Sequence, residues 1–351
     1  MKHFTIAAIC FLLLAPGAVN SQVTGPCVNC HTMHNSQDGE VQYPDGPYGQ
    51  LLKGDCIGCH SSSTSSTTYT MNGSTVPVVN YTGGSAPSDY LAGGNFWWVA
   101  DDGEDNDAKG HNVLGIAGQD LQITATEGAP GNTYSCANSC HSTLAAEQTA
   151  VTGLGSGCRG CHMVNSDNTS YHHAGDTGIL VNSAGQGWYR FLAGHNGAPG
   201  GVAGIEDDDW QATNSPSDHN EYLGSQGSRQ SAGTLTMTGF CTGCHGNFHV
   251  QQDVNSNWIR HPSDAVIPAS GEYAGYNVYD PNVPVARPDL SGYTEASPTV
   301  TPGTDLVQCL SCHRPHGSPY DDILRFDYNT MLAGSGENTT GCFVCHSTKD
   351  E

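Results

Sequence analysis

Fourteen cysteines fall into seven pairs, each followed directly by a histidine: Cys27, Cys30 and His31; Cys56, Cys59 and His60; Cys136, Cys140 and His141; Cys158, Cys161 and His162; Cys241, Cys244 and His245; Cys309, Cys312 and His313; and Cys342, Cys345 and His346. Six of these read C-x-x-C-H, and the third reads C-x-x-x-C-H. Two thiols on one tight turn can each add across a haem vinyl group, and the following imidazole is then held under the iron. A structural zinc site or a redox dithiol would account for one such segment alone. Seven segments that use every cysteine except Cys10 point to covalent haem, with His31, His60, His141, His162, His245, His313 and His346 as proximal ligands. At the third site the extra residue between Cys136 and Cys140 bulges the turn, and its alternative is a small disulfide loop without haem.

The second axial position decides what such irons can do. Beyond the seven attachment histidines and His3, nine histidines remain: His34, His111, His172, His173, His195, His219, His249, His261 and His316. Seven irons need seven, so bis-histidine coordination is feasible throughout, giving low-spin centres of low potential. At least two of the nine would then be spare, as surface or haem-propionate partners. Met33, Met71, Met163, Met237 and Met331 are not required as ligands. His34, His249 and His316 follow their own attachment histidines by only three or four residues. Each is too close to reach the opposite face of its own haem, so each is expected to serve another iron or none. In extended chain the tandem His172 and His173 point in opposite directions and could cap two stacked haems, or one of them could ligate alone.

Residues 1–21 read as a secretory signal, with Lys2 and His3 before an apolar run from Phe4 to Leu14 and small residues ahead of Gln22. Cys10 lies within that run and would leave with it. No later stretch has the apolar length of a membrane helix. An exported location is expected, extracellular or at the cell surface, with the periplasm as the alternative.

The formal net charge of −23, from 34 acidic and 11 basic residues, disfavours nucleic acid and anionic membrane surfaces as partners. The acidic runs at 101–107 and 206–210 offer oxygen ligands for calcium or magnesium. Their spacing is not that of a calcium loop, so solvated acidic loops are the expected state.

With 45 glycines and 36% apolar residues, the chain has poor material for a conventional core. The sequence predicts short helical turns at the haem sites, a few short strands and mostly irregular coil wrapped round closely packed haems. The macrocycles would supply most of the core as one heptahaem domain over 22–351. Residues 61–85 read as an exposed loop rich in Ser and Thr. The cluster at 95–100 and the Pro-, Tyr- and Val-rich stretch 263–305 read as extended chain.

The phrases CVNCHTMHNS, WYRFLAGH, GIEDDDW, FCTGCHGNFH, WIRHPSDAVIP, CLSCHRPHGSPYDDILRFDY and GCFVCHSTKD together resemble the outer-surface multihaem c-type cytochromes of metal-reducing bacteria. The likeness is to the OmcS-type, filament-forming (nanowire) family in particular. It implies extracellular electron transfer along a continuous chain of haems, without enzymatic turnover. It further implies a homopolymer that exchanges electrons with other multihaem cytochromes and with acceptors such as metal oxides. In that family the second histidine of an N-terminal CHTMH phrase caps a haem of the adjacent subunit, which here would be His34. Seven sites and the C-x-x-x-C-H spacing depart from the family pattern. Two other functions compete: a multihaem reductase with one open iron, and a monomeric electron-transfer subunit of the periplasm or outer membrane. The C-x-x-C-K marker of such reductases is absent.

Overall fold

The computed structural model describes residues 26–44, 46–48, 51–71, 73–100, 106–118, 120, 144–145, 157–162, 180–183, 186–192, 201–226, 236–242, 245, 261–336 and 339–349. Among them the α-helices are single turns: α1 (Ile57–His60), α2 (Trp97–Ala100), α3 (Met237–Cys241) and α4 (Cys342–Cys345). Segments this short cannot hold helical structure by themselves, so tertiary contacts and caps must fix them. Thr236 caps α3, its side-chain oxygen accepting from the Gly239 N–H at 2.9 Å. No helix among the described residues is long and apolar enough to cross a membrane.

The N-terminal part contains β1 (Ser36–Gln37) and β2 (Glu40–Val41), an antiparallel pair. Residues 61–81 differ from the expected exposed loop. They form β3 (Ser61–Ser62), an antiparallel hairpin of β4 (Thr68–Met71) with β5 (Ser74–Pro77), and β6 (Asn80–Tyr81), which pairs in parallel with β3. Thr68, Tyr69, Thr75 and Val76 suit a pleated surface, and Gly73 takes the left-handed turn conformation at φ 94. Ser74, Val78 and Asn80 are buried. The cluster at 95–100 also departs from expectation, because it turns into α2. The Asn95 side-chain oxygen accepts from the backbone N–H groups of Tyr81 and Trp97, which holds the entry to the helix.

Six short strands make the one larger sheet among the described residues: β7 (Leu180–Val181), β8 (Gly204–Ile205), β9 (Glu221–Leu223), β10 (Ala265–Val266), β11 (Ala286–Arg287) and β12 (Leu306–Val307). Their order is β10-β12-β11-β9-β8-β7, antiparallel except for β11 on β9. The stretch 263–305 is therefore extended only in part, since residues Gly271–Gly275 form a 3-10 turn.

The apolar clusters are small, and each ends at an attachment cysteine. Tyr189, Tyr222, Met237, Ala286 and Leu306 pack with Cys161 and Cys241. Ile267, Tyr276, Tyr279, Val285 and Val300 pack with Cys345. Phe96, Val99 and Val113 pack with Cys158. Beneath the sheet, the Arg287 guanidinium is 1% exposed and donates to both Glu221 carboxylate oxygens at 2.8 and 3.3 Å and to Asp305 at 2.5 Å. It also donates to the Thr299 and Ser297 carbonyls, tying the 297–305 loop to β9 and β11.

Two glycines bring the N-terminal part onto the C-terminal one. Gly94 (φ 88) and Gly317 (φ 136) form a backbone bridge, and a Cβ on Gly94 would collide with the Gly317 carbonyl. The bridge sets Leu91 to Asn95 beside Arg314 to Gly317.

Candidate haem-binding turns and their facing imidazoles

All six C-x-x-C-H segments close the same turn. In each, the histidine N–H donates to the carbonyl of the first cysteine: His31 to Cys27, His60 to Cys56, His162 to Cys158, His245 to Cys241, His313 to Cys309 and His346 to Cys342, at 2.8–3.1 Å. One closed helical turn puts residues i, i+3 and i+4 on one face, so both thiols and the imidazole address the same side. The three attachment residues of the C-x-x-x-C-H segment, Cys136, Cys140 and His141, lie outside the described residues, as does Cys244 of the fifth site. The bulged turn expected between Cys136 and Cys140 therefore stays an expectation of the sequence.

The rings are oriented from behind. Nδ1 of His60 lies 2.9 Å from the Pro77 carbonyl, that of His162 2.8 Å from Arg190, and that of His313 2.8 Å from Asp322. A carbonyl at Nδ1 fixes the tautomer with its proton there and leaves the Nε2 lone pair for a metal. Burial lowers the pKa of His60, His162 and His313, so these imidazoles are neutral, the state that coordination requires. Nδ1 of His346 lies 3.4 Å from a carboxylate oxygen of Glu272.

Candidate distal histidines come to three of these rings from distant parts of the chain. His316 faces His162 with ring centroids 6.0 Å apart, His111 faces His245 at 6.1 Å, and His261 faces His346 at 6.3 Å. Two imidazoles on opposite sides of one iron, with metal–nitrogen bonds of about 2 Å and ring centres about 1.1 Å behind nitrogen, would stand about 6.2 Å apart. The three gaps therefore fit a haem iron. His111 and His261 follow the same rule as the attachment rings, with Nδ1 at 2.6 Å from Pro315 O and 3.0 Å from Pro262 O. His316 is held differently: Phe96 stacks on it at 4.9 Å, Gly93 leaves room for its ring, and its Nδ1 is buried without a hydrogen-bond partner. Burial, then the neighbouring His162, His111 and His60, push the His316 pKa down to about 3.

His219 is placed otherwise. Its ring is buried flat against Tyr279, at 3.5 Å and 3°. Nδ1 faces the Asn220 carbonyl at 2.9 Å, and Nε2 faces those of Pro216 and Ser297 at 3.0 and 3.2 Å. Both nitrogens thus face backbone oxygens. His34 is exposed, in a left-handed conformation at φ 57. His172, His173, His195 and His249 lie outside the described residues.

Neighbouring turns touch through their sulfurs. Cys59 lies near enough to Cys30, Cys56 to Cys158, and Cys309 to Cys241 for each pair of thiols to influence the other's ionisation. Burial raises the Cys59 thiol to about 12 and Cys312 to about 11, Cys312 also feeling Cys342. Sites one, two and four thus form one run, and sites five, six and seven another. Arg159 and Asp55, 3.7 Å apart, tie sites four and two together. His316, three residues beyond His313, reaches from the second run to site four.

The acidic run 206–210 is not the solvated loop its composition suggests. Glu206 accepts from the Arg190 N–H at 2.6 Å, and Asp207 from the Gln211 N–H at 2.6 Å; both carboxylates are buried. Burial, with Asp209 hydrogen-bonded beside it, raises the Asp207 pKa to about 7. Among the described residues no group of three or more His, Cys, Asp or Glu side chains is arranged to hold a metal ion.

Short attachment turns, imidazoles facing each other across a haem-sized gap and a coil-rich fold define a multihaem c-type cytochrome with covalently bound haem. A family model described as a doubled CXXCH motif matches residues 302–351, which hold sites six and seven. The chain is 27% identical to the C-type cytochrome OmcS of Geobacter sulfurreducens over 402 aligned positions, covering 96% of this chain and 88% of that protein. Its fold matches the Outer Membrane Cytochrome S filament of Geobacter sulfurreducens (TM-score 0.50, 21% identity, 94% of this chain and 93% of the other). It also matches the cryo-EM structure of the OmcS nanowires from the same organism (TM-score 0.52, 22% identity, 94% and 92%). In sequence the chain is similar to OmcS, and its coil-rich fold is that of the OmcS filament subunit.

Proposed function

We propose that this chain is an extracellular electron-transfer protein that carries electrons through seven bis-histidine c-type haems and polymerises into a filament. The observation that carries this reading is the set of three imidazole pairs, from segments far apart in sequence, at 6.0–6.3 Å. We assign His316 to site four, His111 to site five and His261 to site seven, and His219 as one of the spare histidines. The remaining irons draw on His34, His172, His173, His195 and His249. Cys136 and Cys140 hold the third haem, with His141 beneath its iron. Residues 1–21 serve as the export signal.

Haem supplies a reversible one-electron couple when bound; the chain's own residues hold and shield it. The carbonyls behind His60, His111, His162, His261 and His313 keep each Nε2 aimed inward. With an imidazole on each side, an iron held here would have no position left for substrate, which favours electron transfer by proximity over turnover. His34, exposed and near the start of the mature chain, is the residue proposed to reach into the next protomer.

Mass spectrometry of the exported protein counts the haems, and seven, not six, is expected. Six would mean that Cys136 and Cys140 carry no haem. The oxidised spectrum should be low-spin throughout; a substantial high-spin fraction would argue for an open iron and a reductase. His34→Ala should leave a heptahaem monomer with one altered iron and no filaments in negative stain. Intact filaments from that variant would return His34 to an internal or surface role.

A further inference from the structure

Acidic residues outnumber basic ones three to one in this chain, yet two arginines are buried with no carboxylate beside them among the described residues. Arg314 and Arg325 are each 7% exposed. Among the described residues, Arg159, Arg190 and Arg287 each have a carboxylate within 4 Å, at Asp55, Glu206 and Glu221. No such partner among those residues stands beside Arg314 or Arg325. Among the described residues every acceptor they meet is a backbone carbonyl: Leu91 and Ala92 for Arg314, and Leu310, His313, Pro281 and Ala92 for Arg325. The two guanidinium groups converge on one oxygen, that of Ala92, at 3.0 and 3.2 Å. Arg314 also covers the Tyr90 ring at 4.8 Å, and its Nε has no partner. Burial first, and the Arg325 charge second, push the Arg314 guanidinium down to about 9, still cationic at neutral pH.

Both cations are fastened to the sixth attachment turn. Arg314 directly follows His313. Arg325 donates from Nε to the His313 carbonyl at 3.2 Å and from its backbone N–H to the Cys312 carbonyl at 2.8 Å. When a haem accepts an electron it gains one negative charge. Fixed positive charge in a medium of low dielectric stabilises that reduced state, with no proton needed for balance. At the adjacent site seven the Glu272 carboxylate stands 3.4 Å from Nδ1 of His346 and 3.7 Å from Nζ of the exposed Lys349; its contact at Nδ1 makes the ligand more electron-donating and favours the oxidised state.

We propose that Arg314 and Arg325 act as positioning charges that make the haem on Cys309–His313 the first to be reduced in the chain. Electrons on neighbouring site seven then pass downhill to site six. The inference rests on reading that turn as a haem site, and one pair of variants separates the two claims.

The test is a potentiometric titration of the haem-loaded protein, followed by its reduced absorption band. In the wild type a leading component of about one-seventh of the haem should reduce ahead of the rest. Arg325→Gln and Arg314→Gln should move that component down into the bulk of the curve, and Arg325→Lys should keep it in place. Ala92→Asp leaves both arginines intact but adds a carboxylate to the residue whose carbonyl they share, and should remove the leading component as well. A leading component that stays put in Ala92→Asp and in the Gln variants overturns the proposal. Arg325→Lys shifting as far as Arg325→Gln overturns it too, because the charge would then not be the cause. Cys309→Ala with Cys312→Ala should lower the haem content by one and abolish the leading component. Unchanged haem content would sink the site-six reading itself; one haem fewer with the leading component retained would sink only the proposal.

Discussion

Replacing Arg287 by methionine tests the polar network under the sheet that backs the attachment turns. Arg287 is 1% exposed and bonds Glu221, Asp305 and two carbonyls, while stacking at 5.4 and 5.5 Å on Tyr279 and Tyr293. Methionine fills much of the volume but leaves two buried carboxylates without their cation. Removing one partner of such a group costs about 3–5 kcal/mol, because the remaining charge is stranded in low dielectric. The cost should depend on pH. Burial already raises the Asp305 pKa, against the lowering pull of Arg287. A folded pKa above the unfolded value of about 4 means that Asp305 contributes stability below that pH and loses it as pH rises through the folded value. Without Arg287 the folded value climbs further, so the deficit of the variant should be smallest near pH 4 and largest at pH 7. Guanidinium unfolding followed by circular dichroism, at pH 4, 5.5 and 7, measures this. Adding Asp305→Asn should return about 1–2 kcal/mol at pH 7. A deficit below about 1 kcal/mol at pH 7, or one that does not change with pH, would refute the view that Arg287 holds a stranded charge in place.

Further outcomes follow from single contacts. His316→Ala should turn the site-four iron high-spin, visible by electron paramagnetic resonance as about one-seventh of the haem, with the other centres unchanged. Thr236→Ala removes the cap of α3 and a 3.1 Å bond to Asp264, and should cost about 1–2 kcal/mol in chemical unfolding. Gly94→Ala, placed at φ 88 against the Gly317 carbonyl, should cost more than about 2 kcal/mol and lower the thermal midpoint. Asp207→Asn should flatten the stability profile near neutrality. The Asp207 carboxyl, raised to about 7, contributes stability at low pH that the wild type loses as pH rises through that value.

The local chemistry was legible in the chain because it is local. Cysteine and histidine at i, i+3 and i+4 share a face as soon as one turn closes, and all six C-x-x-C-H segments close it alike. Short reach likewise predicted that His316 would not serve its own site, and its ring stands 6.0 Å from that of His162. Other assignments needed the tertiary structure. His219 and His261 look equivalent in sequence, yet one lies flat on Tyr279 between carbonyls and the other faces His346. Ser and Thr made 61–85 look like an exposed loop and the aromatic cluster made 95–100 look extended, while the register of β4 on β5 made a hairpin of the one and the Asn95 side chain a helical turn of the other. Carboxylates at 206–207 read as solvated because composition carries no information on which backbone N–H groups will meet them. The same limit hid Arg314 and Arg325. By itself the sequence picked out the candidate haem-binding residues and the closed turn of each C-x-x-C-H segment, since both depend on reach over five residues. Only the tertiary structure brought distant imidazoles together and buried Arg314 and Arg325 among backbone carbonyls, since both depend on contacts between segments up to about two hundred residues apart.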